Sequence, residues 1–220
     1  WHLYIIDDNS SDNSEEVIDK FSNLKNVTII KLQKNKGPSF CRNYAMRISK
    51  SKYISFIDSD DTWLNNKLAE QIYFMESNNF TFTYTDYVPF FENNDKKNFK
   101  KRTFLKNFFN YEMFTKNSSI NTTTMIISRS ILAHHRFRKI KLCEDYLFKC
   151  QLLKNNNIAK KLDKSLAFYR IMNESRSSQR LQNIYWLWHI NKIFNKMNFF
   201  QNLISIFCIS INSLKKYGIK

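Results

Sequence analysis

The 220 residues are enough for one sizeable domain with its own hydrophobic core, or for one domain and an appendage. A formal charge of +16 suits an anionic membrane, an anionic substrate or nucleic acid, and equally suits a Lys/Asn/Ile-rich composition in which many lysines only solvate the surface. No interleaving of Arg or Lys with aromatics matches an RNA or single-strand platform, which sets nucleic acid aside, and the scattered Cys41, Cys143, Cys150 and Cys208 read as reduced thiols rather than a disulfide framework or a zinc site.

The chain opens at Trp1 inside an apolar run, so the expectation is a fragment that lacks its true N-terminus; no signal peptide is visible. Tyr4-Ile5-Ile6 predicts a first strand that stops at the turn-forming cluster Asp7-Asp8-Asn9-Ser10-Ser11-Asp12. Val17, Phe21 and Leu24 then fall at helical spacing. Val27 to Leu32 is β-branched and apolar, a second strand. Asn35-Lys36-Gly37-Pro38-Ser39 reads as a loop and helix start, and Phe40, Tyr44 and Ile48 make one face of the helix that follows. Tyr53 to Ile57 predicts a third strand, ending at Asp58-Ser59-Asp60-Asp61, and Leu64, Leu68, Ile72 and Met75 mark the next helix. Phe80, Phe82 and Tyr84 alternate with threonines, as a half-buried strand should.

Glu92 to Lys101 is polar and charged and predicts an exposed loop. Thr122 to Ser128 reads as a strand, Asp145 to Leu153 as a helix, and Ser165 to Ile171 as a strand. Two helices rich in Trp, Phe and Ile are expected between Gln182 and Leu214. Met197 to Leu214 lacks charge, but its asparagines, serines and glutamine make it a poor membrane span. An amphipathic helix that packs on the domain or lies on a membrane surface fits better, with Lys215 and Lys216 as basic flanks.

Alternating strands and helices predict an α/β fold with a mostly parallel central sheet flanked by helices. Ligands of such sheets bind beyond the C-terminal strand ends, where both aspartate clusters fall. Asp58 and Asp60 stand two apart in an extended segment, so both carboxylates can face one side. Hard oxygen ligands suit Mg²⁺ or Mn²⁺, and such a metal neutralises charge on a departing diphosphate. The alternative for such acids is capping of the next helix, the role expected of Asp61 or Thr62.

Four blocks appear in order: Ile6-Asp7-Asp8-Asn9-Ser10-Ser11-Asp12; Asn35-Lys36-Gly37-Pro38-Ser39 leading into Cys41-Arg42-Asn43-Tyr44-Ala45; Tyr53 to Trp63 around Asp58-Ser59-Asp60-Asp61; and Glu144-Asp145. A weaker fifth is Phe168-Tyr169-Arg170 with Ser175 and Ser177. Together they resemble the family 2 glycosyltransferases, which have the Rossmann-like GT-A fold; the likeness spans roughly residues 1 to 180. It implies a domain over 1–180, incomplete at its N-terminus because the family's first strand and helix are missing, and a C-terminal helical extension over 181–220. A fragment without that central strand is expected to be unstable or inactive. Asn9 stands where the family usually has glycine, and Asn tolerates the left-handed conformation.

The resemblance also implies roles. Asp8, with Asp7 beside it, would accept a hydrogen bond from the donor's uracil. Arg42 would meet the nucleotide or its phosphates, the alternative being a surface salt bridge. Asp58 would orient the ribose or reach the metal, and Asp60 would bind Mn²⁺ or Mg²⁺ directly. Asp145, with Glu144 beside it, would be the general base, the alternative for the pair being a helix cap. Tyr169 and Arg170 would face acceptor or diphosphate, or pack a strand end.

The implied reaction is inverting transfer from a UDP-sugar to a glycan or lipid-linked acceptor, in bacterial surface polysaccharide or lipooligosaccharide synthesis. Its setting would be the cytoplasmic, inner face of the cytoplasmic membrane, with peripheral contact to anionic lipid. A receiver domain fits less well, because Ser-Asp-Asp-Thr-Trp follows Asp58 and Thr85-Asp86-Tyr87 stands where Lys-Pro belongs. A haloacid-dehalogenase-like phosphatase would place Asp-x-Asp after its first strand. A non-catalytic, membrane-associated relative is the remaining alternative. His134-His135 has no third ligand and is expected at the surface.

Overall fold

The computed structural model describes residues 1–93, 96–99, 103, 105–132, 135–171 and 180–217. They form two compact units, Trp1–Ser51 with Arg136–Lys139, and Lys52–His135 with Ile140–Lys220.

In the first unit the β-branched runs form β1 (Leu3–Asp7) and β2 (Val27–Lys31), paired in parallel from Leu3 opposite Val27 to Asp7 opposite Lys31. The crossover holds α1 (Ser14–Asp19), shorter than the apolar spacing suggests, and Phe21 and Leu24 lie in the turns beyond it. No residue of α1 is buried, and Val17, Phe21 and Leu24 are each almost half exposed. α2 (Pro38–Ile48) starts with Pro38, whose missing N–H costs nothing in a first turn. Gly37 precedes it at φ +84°, ψ 162°, a conformation essentially confined to glycine.

The second unit opens with β3 (Tyr53–Ser55), then β4 (Thr62–Trp63), α3 (Lys67–Ser77) and β5 (Phe82–Asn93). β6 (Lys96–Phe99) and β7 (Phe108–Phe109) lead to α4 (Tyr111–Thr115). A 3-10 turn (Thr122–Thr124) precedes β8 (Ile126–Ser128) and α5 (Arg129–Leu132), so the strand expected from Thr122 begins four residues later. α6 (Glu144–Leu153), β9 (Ala159–Arg170), α7 (Arg180–Ile193) and α8 (Phe199–Tyr217) complete it.

Its sheet runs β3-β8-β5-β9-β4, with β6 added to β5 and β7 to β9. The α/β class is as expected, and the sheet is mixed. β5 and β9 pair in parallel, whereas β3–β8, β5–β8, β4–β9, β5–β6 and β7–β9 are antiparallel. The mostly parallel expectation counted strand–helix–strand repeats, which do not show that short returning strands insert beside β5 and β9.

Two further expectations change. The stretch Glu92 to Lys101 is not simply a loop, because β5 continues to Asn93 and β6 folds back on it, with Phe90 opposite Phe99; residues 94, 95, 100 and 101 lie outside the described set. The packing that drives this is aromatic: Phe99 meets Phe90 and Phe168 at ring separations of 5.8 and 5.3 Å. Nor is β5 half-buried at its start. Thr83 and Thr85 are fully buried between neighbouring strands, and Gln71 of α3 donates to the Thr83 hydroxyl at 3.0 Å.

The core is aromatic. Phe114 stacks on Tyr146 at 5.7 Å and takes Phe109 edge-on at 6.0 Å, while Phe148 is edge-on to Phe56. α7 and α8 are tied to this core by polar groups: Tyr146 donates to Asn191 at 2.8 Å, Asn191 donates to Asn202 and Ser205, and Ser205 donates to the Thr115 carbonyl at 2.6 Å. Burial does not excuse these groups from hydrogen bonding, and each has found a partner.

Candidate active site

In the first unit, Asp7 and Asp8 end β1. The Ser10 hydroxyl donates to Asp7 Oδ1 at 2.5 Å, which turns the chain sharply. Asp8 takes the N–H of Lys36 on one oxygen and that of Gly37 on the other, both at 2.7 Å, and Asn35 donates to its carbonyl. The carboxylate thus clamps the loop that opens α2. Asn9 adopts φ +63°, the left-handed conformation expected of a residue in a glycine position.

The Cys41 thiol hydrogen-bonds Asp8, and burial, then the Asp8 charge, push its pKa up to about 11, so it is a neutral thiol. Arg42, one residue on, lies with its guanidinium 5.3 Å from the Phe137 ring. Asn43 fixes the same segment, accepting the Phe137 N–H at 2.9 Å and donating to its carbonyl at 2.8 Å. An open cleft of about 520 Å³ lies alongside, lined by Lys34, Lys36, Lys139, Asn43 and Phe137 among others. Its lysines favour an anion. Asn43 and Phe137 are 94 positions apart, and no local pattern links them.

In the second unit the acids after β3 divide by task. Asp61 is not a helix cap. It is buried, accepts the Thr123 hydroxyl on one oxygen and the Arg170 N–H at 3.0 Å on the other, and so pins the loop to the end of β9. Burial pushes its pKa up to about 6 against both hydrogen bonds. The Asp58 carbonyl accepts the Asp61 N–H, closing the turn that presents Ser59 and Asp60. Burial raises the Asp60 pKa from its ordinary value, the Asp58 charge adds to the rise, and a backbone hydrogen bond and Arg170 oppose it. Asp58, Asp60 and Arg170 therefore share one neighbourhood. Tyr169 packs edge-on against Tyr87 at 5.7 Å.

A layer behind this loop is absent from the sequence reading. Trp63 donates to the Thr123 carbonyl at 2.8 Å, and Lys67 lies 4.3 Å from the Trp63 ring, fully buried. Lys67 donates to Gln71 at 2.9 Å, and burial pulls its pKa down to about 7. Lys67 and Gln71 at i, i+4 were the available signal, but a lysine in a first helical turn ordinarily faces water.

At the start of α6, Glu144 is buried, whereas the Asp145 carboxylate reaches solvent and pairs with Lys149 at 2.7 Å. Lys149 is itself almost fully buried, which holds the pair in one geometry. Cys143 precedes them at φ +62°, a strained conformation for a residue with a side chain. His135 closes α5 by donating its N–H to Leu132 and is half-buried; His134, Ser175 and Ser177 lie outside the described residues.

Among the described residues no three His, Cys, Asp or Glu side chains gather into a metal cage. The Asp58-x-Asp60 pair nevertheless fits a hard divalent ion. Two like charges crowd one half-buried site, and Mg²⁺ ordinarily takes one or two carboxylates with substrate phosphates and water completing its shell.

The family model described as Glycosyl transferase family 2 matches residues 1–136. Curated relatives include the putative teichuronic acid biosynthesis glycosyltransferase TuaG of Bacillus subtilis, 25% identical over 217 residues, which cover 98% of this chain and 85% of TuaG. Another is the Escherichia coli enzyme WfgD, a UDP-Glc:alpha-D-GlcNAc-diphosphoundecaprenol beta-1,3-glucosyltransferase, 30% identical over 86% of this chain and 73% of its own. Residues 1–349 of Staphylococcus aureus TarS in complex with UDP-GlcNAc superpose with TM-score 0.68 and 17% identity, all of this chain covering 64% of that one. The mannosyltransferase PcManGT of Pyrobaculum calidifontis, in complex with GDP-Man and Mn²⁺, gives 0.64 at 10% identity, all of this chain covering 67% of that one. These two likenesses show the GT-A fold.

Proposed function

Because the chain belongs to glycosyl transferase family 2, we propose that it moves a sugar from a UDP-sugar to a hydroxyl of a glycan or lipid-linked acceptor, inverting the anomeric carbon. Bacterial surface polysaccharide or lipooligosaccharide synthesis at the inner face of the cytoplasmic membrane is the proposed setting. UDP-glucose and diphosphoundecaprenol in the name of WfgD, and UDP-GlcNAc bound to TarS, support the donor and acceptor classes. In this reading residues 1–180 are the transferase domain and 181–220 its helical extension.

The observation that carries the proposal is the tight turn that presents Asp58 and Asp60 at the end of β9, closed by the Asp61 N–H to the Asp58 carbonyl and pinned by the Arg170 N–H to Asp61. Asp60, with Asp58, would hold Mn²⁺ or Mg²⁺, which when bound neutralises charge on the diphosphate. Arg170 adds a fixed cation on the same side. Asp8 and Asp7 form the base-binding edge, Asp8 also keeping the α2 loop in place, and Arg42 meets the nucleotide. Asp145 takes the proton from the acceptor hydroxyl as that oxygen bonds the anomeric carbon, while the bond to the diphosphate breaks and its electron pair leaves with UDP. Lys149 holds the Asp145 carboxylate in position, and buried Glu144 supports the helix start.

In the full-length protein, Asp60→Ala is expected to abolish UDP-sugar turnover with an unchanged circular dichroism spectrum. Full activity in that variant would refute the metal assignment.

A further inference from the structure

Helix α8 is inside out. Asn202 and Ser205 lie on its protein-facing side, each 1% exposed, with Ile209 a turn further on and Asn212 donating to the Lys116 carbonyl. The opposite side presents Phe200, Leu203, Ile204 and Phe207, between 50 and 73% exposed. A helix bounded by water on one side shows the reverse order, polar residues out and apolar residues in. α7 extends the patch: Trp188 takes Phe199 edge-on at 5.6 Å, and Tyr185 and Leu181 are largely exposed. A contiguous apolar surface of this kind marks a face with a partner.

Charge identifies the partner. Residues 175–220 contain no Asp or Glu. Lys192 and Lys196 stand exposed just before α8, and Lys215 near its end. The nearby acid of α4, Glu112, is already paired with Lys116 at 2.7 Å. A second copy would bring the same cations together with no acid between them. A bilayer with anionic headgroups complements both the apolar face and its basic flanks. No helix among the described residues is long and apolar enough to cross a membrane, so α8 would lie in the interface plane.

We infer that the outer face of α8 is a docking surface for an anionic lipid bilayer, with Phe200, Leu203, Ile204 and Phe207 seated in the headgroup boundary. The inference extends the lipid-linked acceptor reading, on which its purpose rests, yet stands on the polarity of one helix.

Co-sedimentation of the chain with phosphatidylglycerol–phosphatidylcholine vesicles, without nucleotide sugar, tests it. Binding should exceed that to phosphatidylcholine alone and weaken with salt. Phe200→Ser/Phe207→Ser should lower it at least about tenfold, since burying one phenylalanine is worth that much. Lys192→Glu/Lys196→Glu, at exposed sites that leave the packing intact, should erase the preference for anionic vesicles, and Tyr73→Ser, an exposed aromatic of α3, should change nothing. Vesicle binding unaltered in both double variants, or no binding by the parent chain to either vesicle, overturns the inference. So does a solution dimer that Phe200→Ser/Phe207→Ser dissolves while vesicle binding persists. A chain that binds vesicles keeps the docking surface whether or not it turns over UDP-sugar, so failure of the docking inference and failure of the transferase reading are read separately.

Discussion

The two units use the same local grammar, strand then acid then helix, and hold it together by different means. Among the described residues, Met46 and Phe137 are the buried apolar side chains of the first unit, and α1 buries nothing. The second unit encloses Phe82, Phe109, Phe114 and Phe148 completely. The first is secured by directional bonds: the parallel ladder, the Asp8 clamp on Lys36 and Gly37, and the Asn43 grip on Phe137. The contrast teaches that periodicity selects the elements, whereas burial decides how firmly they stay. A region with few buried apolar contacts opens locally at low free energy, so β1 and β2 amides should exchange with deuterium well before those of β5 and β9.

The sharpest way to break that comparison is to truncate one aromatic in each unit. Phe148→Ala should cost about 3–5 kcal/mol in urea unfolding, because it empties a fully enclosed site. Phe21→Ala, at a half-exposed position, should cost within about 0.5 kcal/mol. Similar costs would mean that the first unit has a core its exposure does not show.

The next effect comes from charge inside the second unit. Lys67 titrates near 7 when folded and near its ordinary value of about 10.4 when unfolded, so between those pH values the unfolded chain binds more protons. Stability must then rise with pH across that window, by on the order of 3 kcal/mol from this residue. Lys67→Met keeps the packing against Trp63, removes the buried cation and should flatten the rise, as urea midpoints measured from pH 7 to 10 would show. An unchanged slope would mean that Lys67 is not desolvated.

These predictions also mark what the sequence could reveal. The strands around Ile5, Ile29 and Ile54 and the helices of α2, α3 and α6 were legible because apolar periodicity is a local property. The place of the acidic clusters, just after β1 and β3, was legible because Asp, Asn and Ser mark the turns that end strands. The β5–β6 hairpin was hidden by its charge: Glu92, Lys96 and Lys97 read as a solvated loop, and only Phe90, Phe99 and Phe168 in three dimensions show why it pairs back. Lys67 was hidden by a sound rule, that lysines face water. α8 was read as amphipathic, but composition does not say which face turns inward. That depends on Asn191 and Thr115, supplied by other elements. The division of labour among Asp58, Asp60 and Asp61 was equally out of reach, since it is set by Thr123 and Arg170.

In the first unit the Asp8 clamp replaces a core. Asp8→Asn keeps the shape but gives up the charge and turns an acceptor into a donor facing a backbone N–H. The loop should loosen by at most about 1.5–3 kcal/mol, the range for a hydrogen bond to a charged group, because the bond from Lys36 is exposed and that from Gly37 only part-buried. Faster exchange at the Lys36 and Gly37 amides, with β5 and β9 unchanged, is the expected signature. Loss of protection throughout both units would instead show that they open together.

Two backbone positions, one in each unit, mirror each other. Gly37, in the first unit, holds φ +84° with nothing within 4 Å of where a Cβ would lie, so Gly37→Ala meets no neighbour and pays only backbone strain, about 1–3 kcal/mol. Cys143, in the second, holds φ +62° with a side chain whose sulfur is 3.7 Å from Asn183 Oδ1. Cys143→Gly relieves roughly 1–2 kcal/mol of left-handed strain but gives back part of it through the greater freedom of the unfolded chain. The net should be a gain of under about 1 kcal/mol, read as a small rise in the urea midpoint. A loss instead would mean that the cysteine contributes more by packing at the start of α6 than its conformation costs, and the strain beside Asp145 would then be compensated where it arises.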